Sequence, residues 1–208
     1  MIVKQFGVTY HRVQPKDLEV LRYWRNQSFI RDTMQFKDYI TPLMQQQWFE
    51  KINNPFNYYF IIEYQGEKIG LINCKDTEPD TRLAEGGIFI WKKSFWGTSI
   101  PVFASLTMLQ AVFEIFKSGD ASVATVAIDN KKALDFNLKL GYEIKETSED
   151  GKWYKLYLTK ERYKTHCHRL IKAAGILHKD DADFKIFGEP IDTQAEQINQ
   201  YLRENKKN

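Results

Sequence analysis

The hexapeptide Trp96-Gly97-Thr98-Ser99-Ile100-Pro101 has the residue types that hold a phosphate group at the start of a helix. A helix N-terminus presents unpaired N–H groups and a partial positive charge, which together suit a diphosphate. Gly97 lets the backbone come close to a ligand. Thr98 or Ser99 can cap the helix or donate a hydroxyl. Pro101 in the first turn fixes φ at a position where no intrahelical bond is lost. A second group, Leu21-Arg22-Tyr23-Trp24-Arg25-Asn26, offers a flat ring and a guanidinium fork. Trp24 suits stacking on a base or sugar face and suits core packing equally, while Arg25 suits a phosphate or a carboxylate of its own fold. The run His166-Cys167-His168 carries metal-ligating types. Adjacent and alternate residues on a helix do not face one another, so these three do not converge on one ion, and neither a metal site nor Cys/His catalysis is expected.

These groups need elements to place them. Residues 2–10 alternate apolar and polar types and predict a first strand. Asp17 predicts the cap of a helix bearing Leu18, Leu21 and Trp24 on one face, and Thr41-Pro42 the cap and first position of a second, with Leu43, Trp48, Phe49 and Ile52 as its apolar contacts. Strands over 58–64 and 68–74 flank Gln65-Gly66-Glu67, a hairpin signal. A strand over 85–91 leads through the phosphate-suited turn into a helix over 100–117, ended by Gly119. It is apolar almost all round and is therefore expected to be buried. A strand over 124–128 then passes into a helix capped by Asn130, with Ala133, Phe136, Leu138 and Leu140 on its apolar face and Gly141 as the left-handed residue that ends it. Strands over 142–147 and 153–159 flank Glu149-Asp150-Gly151. From Lys160 the composition turns more charged: one helix runs through Leu177, a loop holds Gly188-Glu189-Pro190, and a last helix begins where Thr193 and Glu196 have capping-box spacing.

The composition bounds the class. A chain of 208 residues with 43% hydrophobic and 27% charged residues is an ordinary folded domain with an appendage, not a disordered one. A net charge of +3, with no basic stripe interleaved with aromatics, excludes nucleic acid as the expected partner. No apolar run is long enough to span a bilayer, so no membrane role is expected. The N-terminus lacks the apolar core of a signal peptide, and Cys74 and Cys167 make no disulfide framework, which suits a reducing cytoplasm.

In element order and in both helix-start motifs, residues 1–160 resemble the GNAT acetyltransferases. Strand–Asn130-x-x-Ala133–helix–Leu140-Gly141-Tyr142–strand is similar to their second coenzyme A motif, and Trp96-Gly97-Thr98-Ser99 to a Trp-Gly-x-Gly pyrophosphate turn, with Ser99 in place of the second glycine and Pro101 in place of a small residue. The resemblance implies an α+β fold: a mixed, mostly antiparallel sheet flanked by helices over residues 1–160, with a helical C-terminal extension over 161–208. It implies direct acetyl transfer from acetyl-CoA to a primary amine. Ile88, Phe89, Ile90, Trp96, Gly97, Thr98, Ser99, Ile100, Asn130 and Phe136 would bind the donor, with backbone N–H groups of 88–90 meeting the oxyanion. Glu85 would take the amine proton through water. The usual tyrosine that protonates the thiolate is replaced by Asn137, so Tyr142, another tyrosine or no acid at all serves. Trp24-Arg25-Asn26, with Met34, resembles the branch acting on nucleotide-linked amino-sugars and, more loosely, the ribosomal-protein N-terminal acetyltransferases. The expected acceptor is thus a small amine, a nucleotide-linked amino-sugar. The alternatives are a protein N-terminus, or a non-catalytic module that binds coenzyme A or a protein partner. The C-terminal helices cover the acceptor cleft, form a homodimer contact or brace the core.

Overall fold

In the computed structural model, residues 1–54, 56–75, 83–115 and 120–188 are described, the side chain of Asp180 excepted. The chain opens with β1 (Ile2–Gln5) and β2 (Val8–Arg12), joined by Phe6 and Gly7. The single strand expected over 2–10 is therefore two. Phe6 and Gly7 have φ of 52° and 71°, the paired left-handed geometry of a two-residue hairpin turn. A phenylalanine there is unfavourable by itself, but its ring is fully buried and meets Phe103 at 5.6 Å between centroids.

A 3-10 turn, Pro15–Asp17, precedes α1 (Leu18–Arg25), α2 (Ser28–Arg31) and α3 (Pro42–Ile52). Asp17 does not cap α1 with its side chain. Its carboxylate accepts the Gln14 N–H at 3.0 Å and the Lys68 ammonium at 2.8 Å, tying the helix entry to the sheet. Thr41 does cap α3, its hydroxyl accepting the Met44 N–H at 3.2 Å. Leu43 points to solvent, against expectation, and Gln45, Phe49 and Ile52 form the buried face.

The next hairpin, β3 (Tyr58–Tyr64) and β4 (Glu67–Lys75), turns at Gln65-Gly66. After β5 (Leu83–Ile90) comes α4 (Ile100–Gln110), which continues as a π-helical turn, Ala111–Ile115. Every residue of α4 except Pro101, Val102 and Gln110 is buried, as its all-round apolar sequence demands. The expected end at Gly119 lies outside the described residues. β6 (Ala121–Ala127) leads to α5 (Lys131–Lys139), capped by Asn130 through a 3.1 Å bond from the Ala133 N–H. Gly141 follows at φ +100° and turns the chain into β7 (Glu143–Thr147) and β8 (Trp153–Thr159). The extension is α6 (Lys160–Arg162), a π-helical turn Tyr163–Cys167, α7 (His168–Leu177) and β9 (Lys185–Phe187). The helix expected from Thr193 and the loop at Glu189-Pro190 fall outside the described residues.

The strands form one sheet in the order β7-β8-β6-β5-β4-β3-β2-β1-β9, antiparallel throughout except for β5 beside β6. β9 pairs with β1 at Ile2/Phe187, Val3/Ile186 and Lys4/Lys185, so the extension is not helical alone: it adds a strand to the open edge of β1. The main core holds Phe6, Phe60, Ile62, Leu106, Leu156 and Leu158 between the sheet and α4, α5 and α7. A second, smaller core on the opposite face packs Leu21, Ile30, Phe49 and Ile52 from α1–α3 onto Ile61, Leu71 and Trp91.

Candidate active site

The site begins where two parallel strands part. β5 and β6 pair at Leu83/Ala121, Ala84/Ser122 and Glu85/Val123 and no further, while β5 stays paired with β4 through Ile90. Beyond Glu85, one edge of β5 therefore faces a gap. The Trp91 N–H donates to Ile69 O at 2.9 Å. In an antiparallel ladder, bonding alternates residue by residue, so Phe89 also bonds toward β4, and Ile88 and Ile90 turn their backbone groups toward the gap. The Ile90 carbonyl accepts the Trp96 indole N–H at 2.9 Å on that side. Of the three backbone N–H groups expected to meet an oxyanion, that of Phe89 is thus committed to the sheet, leaving those of Ile88 and Ile90 on the side of the gap.

A cavity of about 610 Å³ passes through this gap and reaches both faces of the sheet. One arm is walled by Ser105 and Met108 of α4, Val112 of its π-helical continuation, Thr125–Ala127 of β6, and Asn130, Ala133, Phe136 and Asn137 around α5. The other lies under α1 and α3, among Leu21, Arg25, Met34, Phe36, Met44 and Trp48. Gly86, Gly87, Ile88 and Phe89 of β5 and Asn73 and Lys75 of β4 stand where the arms meet. An extended ligand can therefore enter along the helix side and present its end to a second ligand across the sheet.

The residues singled out by type and spacing divide between this cavity and other tasks. Ile88, Phe89, Asn130 and Phe136 line the helix-side arm or its junction, and Arg25 and Met34 line the opposite arm. Glu85 stands at the last paired position of β5 but does not line the cavity, its carboxylate held by Lys75 at 2.9 Å. Trp24 takes the packing role: its ring lies parallel to Trp91 at 5.9 Å, edge-on to Tyr23 and Phe29. Asn26 clamps its own fold, donating to Ile40 O at 2.9 Å and accepting the Ile40 N–H at 2.8 Å. Ile90 is buried in the core, and Ile100 likewise. Trp96, Gly97, Thr98 and Ser99 form a surface turn beyond the cavity walls. There Gly97 has φ +78°, and no atom lies within 4 Å of where a Cβ would stand, so the turn is open to a ligand. Thr98, not Ser99, is the cap: its hydroxyl accepts the Ile100 N–H at 3.3 Å and donates to Phe95 O at 2.8 Å.

Arg25 is the under-bonded cation of the arm under α1 and α3. Its Nη1 is buried and has no hydrogen-bond partner among the described residues, and Nη2 reaches Phe36 O at 3.4 Å. Burial holds the guanidinium pKa below its ordinary value, the mark of a charge short of compensating partners. Among the described residues, the charged side chains lining the cavity are Arg25 and Lys75.

Two side chains meet at the junction: Tyr142, one of the candidate acids, and Ser122, which the sequence did not single out. Ser122 and Tyr142 share a hydroxyl–hydroxyl bond of 2.7 Å, both buried and both lining the cavity beside Gly86. Burial pushes the Tyr142 phenol well above its ordinary value, so it stays protonated. Nothing in the local sequence marks Ser122, because its importance depends on how β5 and β6 align. Asn137, at the position of an expected acid, lines the cavity and donates its amide to Ala133 O at 2.8 Å. His166, Cys167 and His168 turn to three different partners: Lys139 O, Leu140 O and the Glu114 carboxylate. No group of three or more metal-ligating side chains occurs among the described residues.

Residues 8–143 match a protein-family model described as acetyltransferase (GNAT) domain. No curated protein sequence matches the chain. Among solved structures, spermidine N-acetyltransferase from Vibrio cholerae, in complex with CoA and spermine, has a TM-score of 0.66 at 18% identity, covering 76% of this chain and 98% of its own. An aminoglycoside acetyltransferase in complex with coenzyme A has a TM-score of 0.64 at 18% identity, over 76% and 98% of the two chains. A domain from Methanocaldococcus jannaschii scores 0.64 at 17% identity, over 73% and 97%. At such identities the likeness to these structures is one of fold.

Proposed function

The chain belongs to the GNAT acetyltransferase domain family, and from that premise we propose that it transfers an acetyl group from acetyl-CoA to the primary amine of a nucleotide-linked amino-sugar. The observation that carries the reading is Arg25, a half-buried guanidinium whose buried Nη1 has no hydrogen-bond partner among the described residues, in the arm of the cavity opposite α4 and α5. A planar fork of N–H donors matches phosphate or carboxylate oxygens two at a time, and its charge is best compensated by an anion. Lys75 at the junction of the arms is paired with Glu85, so the uncompensated charge facing the acceptor is that of Arg25. Spermidine and aminoglycosides, named for the enzymes of similar fold, are polycations, and an acceptor arm holding this cation favours an acceptor with negative charge instead.

The donor arm fits its ligand in shape and chemistry. A gap opens between strands with a backbone N–H turned into it, α5 closes one side, and the Gly97 turn stands open at the start of α4. Bound there, acetyl-CoA supplies an acetyl group activated as a thioester. The Ile88 N–H is placed to donate to the carbonyl oxygen as negative charge develops on it. Glu85 takes the proton that the attacking ammonium must lose, and since its carboxylate stands behind Lys75 rather than in the cavity wall, the proton travels through water. Tyr142, kept protonated by burial and bonded to Ser122, offers a hydrogen bond to the departing sulfur in place of the tyrosine that Asn137 replaces, and the thiolate takes its proton from water.

The test is thiol release from acetyl-CoA with three acceptors: a nucleoside-diphosphate-linked amino-sugar, an N-terminal peptide and spermidine. Turnover with the first and little with the others is expected. Preference for spermidine would overturn the anionic-acceptor reading, preference for the peptide would move the assignment to protein N-termini, and no release with any would leave a coenzyme A-binding module.

A further inference from the structure

The end of α5 is held by side chains from a part of the chain that the family match, residues 8–143, does not reach. The carbonyls of a helix's last turn have no intrahelical partners and must find others. Here the first of them are satisfied locally: Phe136 O by the Leu140 N–H at 3.2 Å, Asn137 O by the Tyr142 N–H at 3.1 Å and Leu138 O by the Gly141 N–H at 2.9 Å. The following carbonyls are satisfied from the C-terminal helices. Lys139 O is bonded by His166 Nε2 at 2.9 Å, Leu140 O by Cys167 Sγ at 3.1 Å and Gly141 O by Arg162 Nε at 2.7 Å. A carbonyl only accepts, so His166 carries its proton on Nε2. Burial pushes the Cys167 thiol up to about 12, which keeps it a donor. Arg162 also pairs with Glu143 at 3.1 Å, directly after the turn.

The geometry depends on a widened helical turn. Tyr163–Cys167 is π-helical, and such turns re-aim side chains that an α-helix would place elsewhere. On its other side the same segment is locked to the extension of α4, where the Glu114 carboxylate accepts Tyr163 Oη at 2.7 Å and faces His168 Nε2 at 2.8 Å. The fit at α5 is close: a Cβ at Gly141 would stand 2.9 Å from the His166 ring.

We propose that Arg162, His166 and Cys167 are positioning residues for acetyl-CoA binding, fixing α5 so that Asn130, Ala133, Phe136 and Asn137 stand correctly against the donor arm. The proposal rests on the assignment of that arm to acetyl-CoA. The test compares the full chain with R162A/H166A and with the conservative pair R162K/H166Q, whose side chains can still donate to the same carbonyls. Two quantities are read at a temperature where all three are folded: amide exchange along 133–142 and in β3 and β4, and the calorimetric Kd for acetyl-CoA. Loss of these backbone bonds is expected to speed exchange in 133–142 and to weaken Kd by roughly five- to tenfold, with β3 and β4 unchanged and the conservative pair close to the unaltered protein. A uniform rise in exchange with unchanged Kd would overturn the proposal, since a general brace would act that way. If the unaltered protein binds no acetyl-CoA, the donor assignment fails, and the exchange pattern alone then decides whether these side chains hold α5.

Discussion

At Arg25, Glu85 and Cys167 the surroundings decide what each side chain can do. Arg25 has a buried Nη1, without a hydrogen-bond partner among the described residues, in a cavity arm. Replacing it with alanine should raise KM for an anionic acceptor by roughly ten- to a hundredfold, the worth of a charge-assisted bond, with the Kd for acetyl-CoA unchanged. Steady-state kinetics alongside donor titration checks this. Glu85→Ala should lower kcat by about a hundredfold, the usual scale of general-base catalysis, and alter acetyl-CoA affinity little. Equal turnover in that variant would remove Glu85 from the mechanism. Cys167 has a pH signature. In the folded protein its thiol holds the proton up to about 12, whereas an unperturbed cysteine releases it near 9.0. Deprotonation therefore favours the unfolded chain as pH rises, so the contribution is intact below about 9 and is lost between there and about 12. Below that window Cys167 should resist alkylation in the folded protein and react once urea unfolds it, which mass spectrometry of the labelled peptide would reveal.

Helices α4 and α5 were legible because each carries a complete local message. The all-apolar run of α4 demands burial on every side, and it receives it. Asn130 and Gly141 bracket α5 with a cap and a left-handed stop, and both act as such. Other elements depended on distant partners. The 2–10 segment reads as one strand because Phe6 is an improbable turn residue, and only the pocket beside Phe103 makes its turn tolerable. Trp24 carried two readings of equal standing, and it is the arrival of Trp91 from beyond β5 that commits it to packing. At Gly141, alanine would need a positive φ of 100° and would press on His166 at 2.9 Å. Gly141→Ala should cost about 1–3 kcal/mol of stability by urea denaturation, the range for strain at such a position.

At the scale of the whole molecule, the extension is continuous with the domain. β9 closes the sheet beside β1, and α7 covers the main core. Across the boundary expected at residue 160, the described residues are laced together by bonds from Arg162, Tyr163, His166 and Cys167. Unfolding should therefore be a single transition, with tryptophan fluorescence and far-ultraviolet circular dichroism giving one midpoint; two separated midpoints would show that the extension is an independent unit. The amino-acid sequence by itself determined the Thr41 and Asn130 caps, the Gly66 hairpin, the buried helix and the family, because each rests on contacts within a few residues or on a period that repeats locally. The tertiary structure alone decided which of the singled-out side chains reach the cavity, that Ser122 meets Tyr142, and that the last carbonyls of α5 are held from the C-terminal helices. Those facts depend on where β5 leaves β6 and on which elements close over the gap, and strand alignment between distant segments leaves no trace in the local pattern of residues.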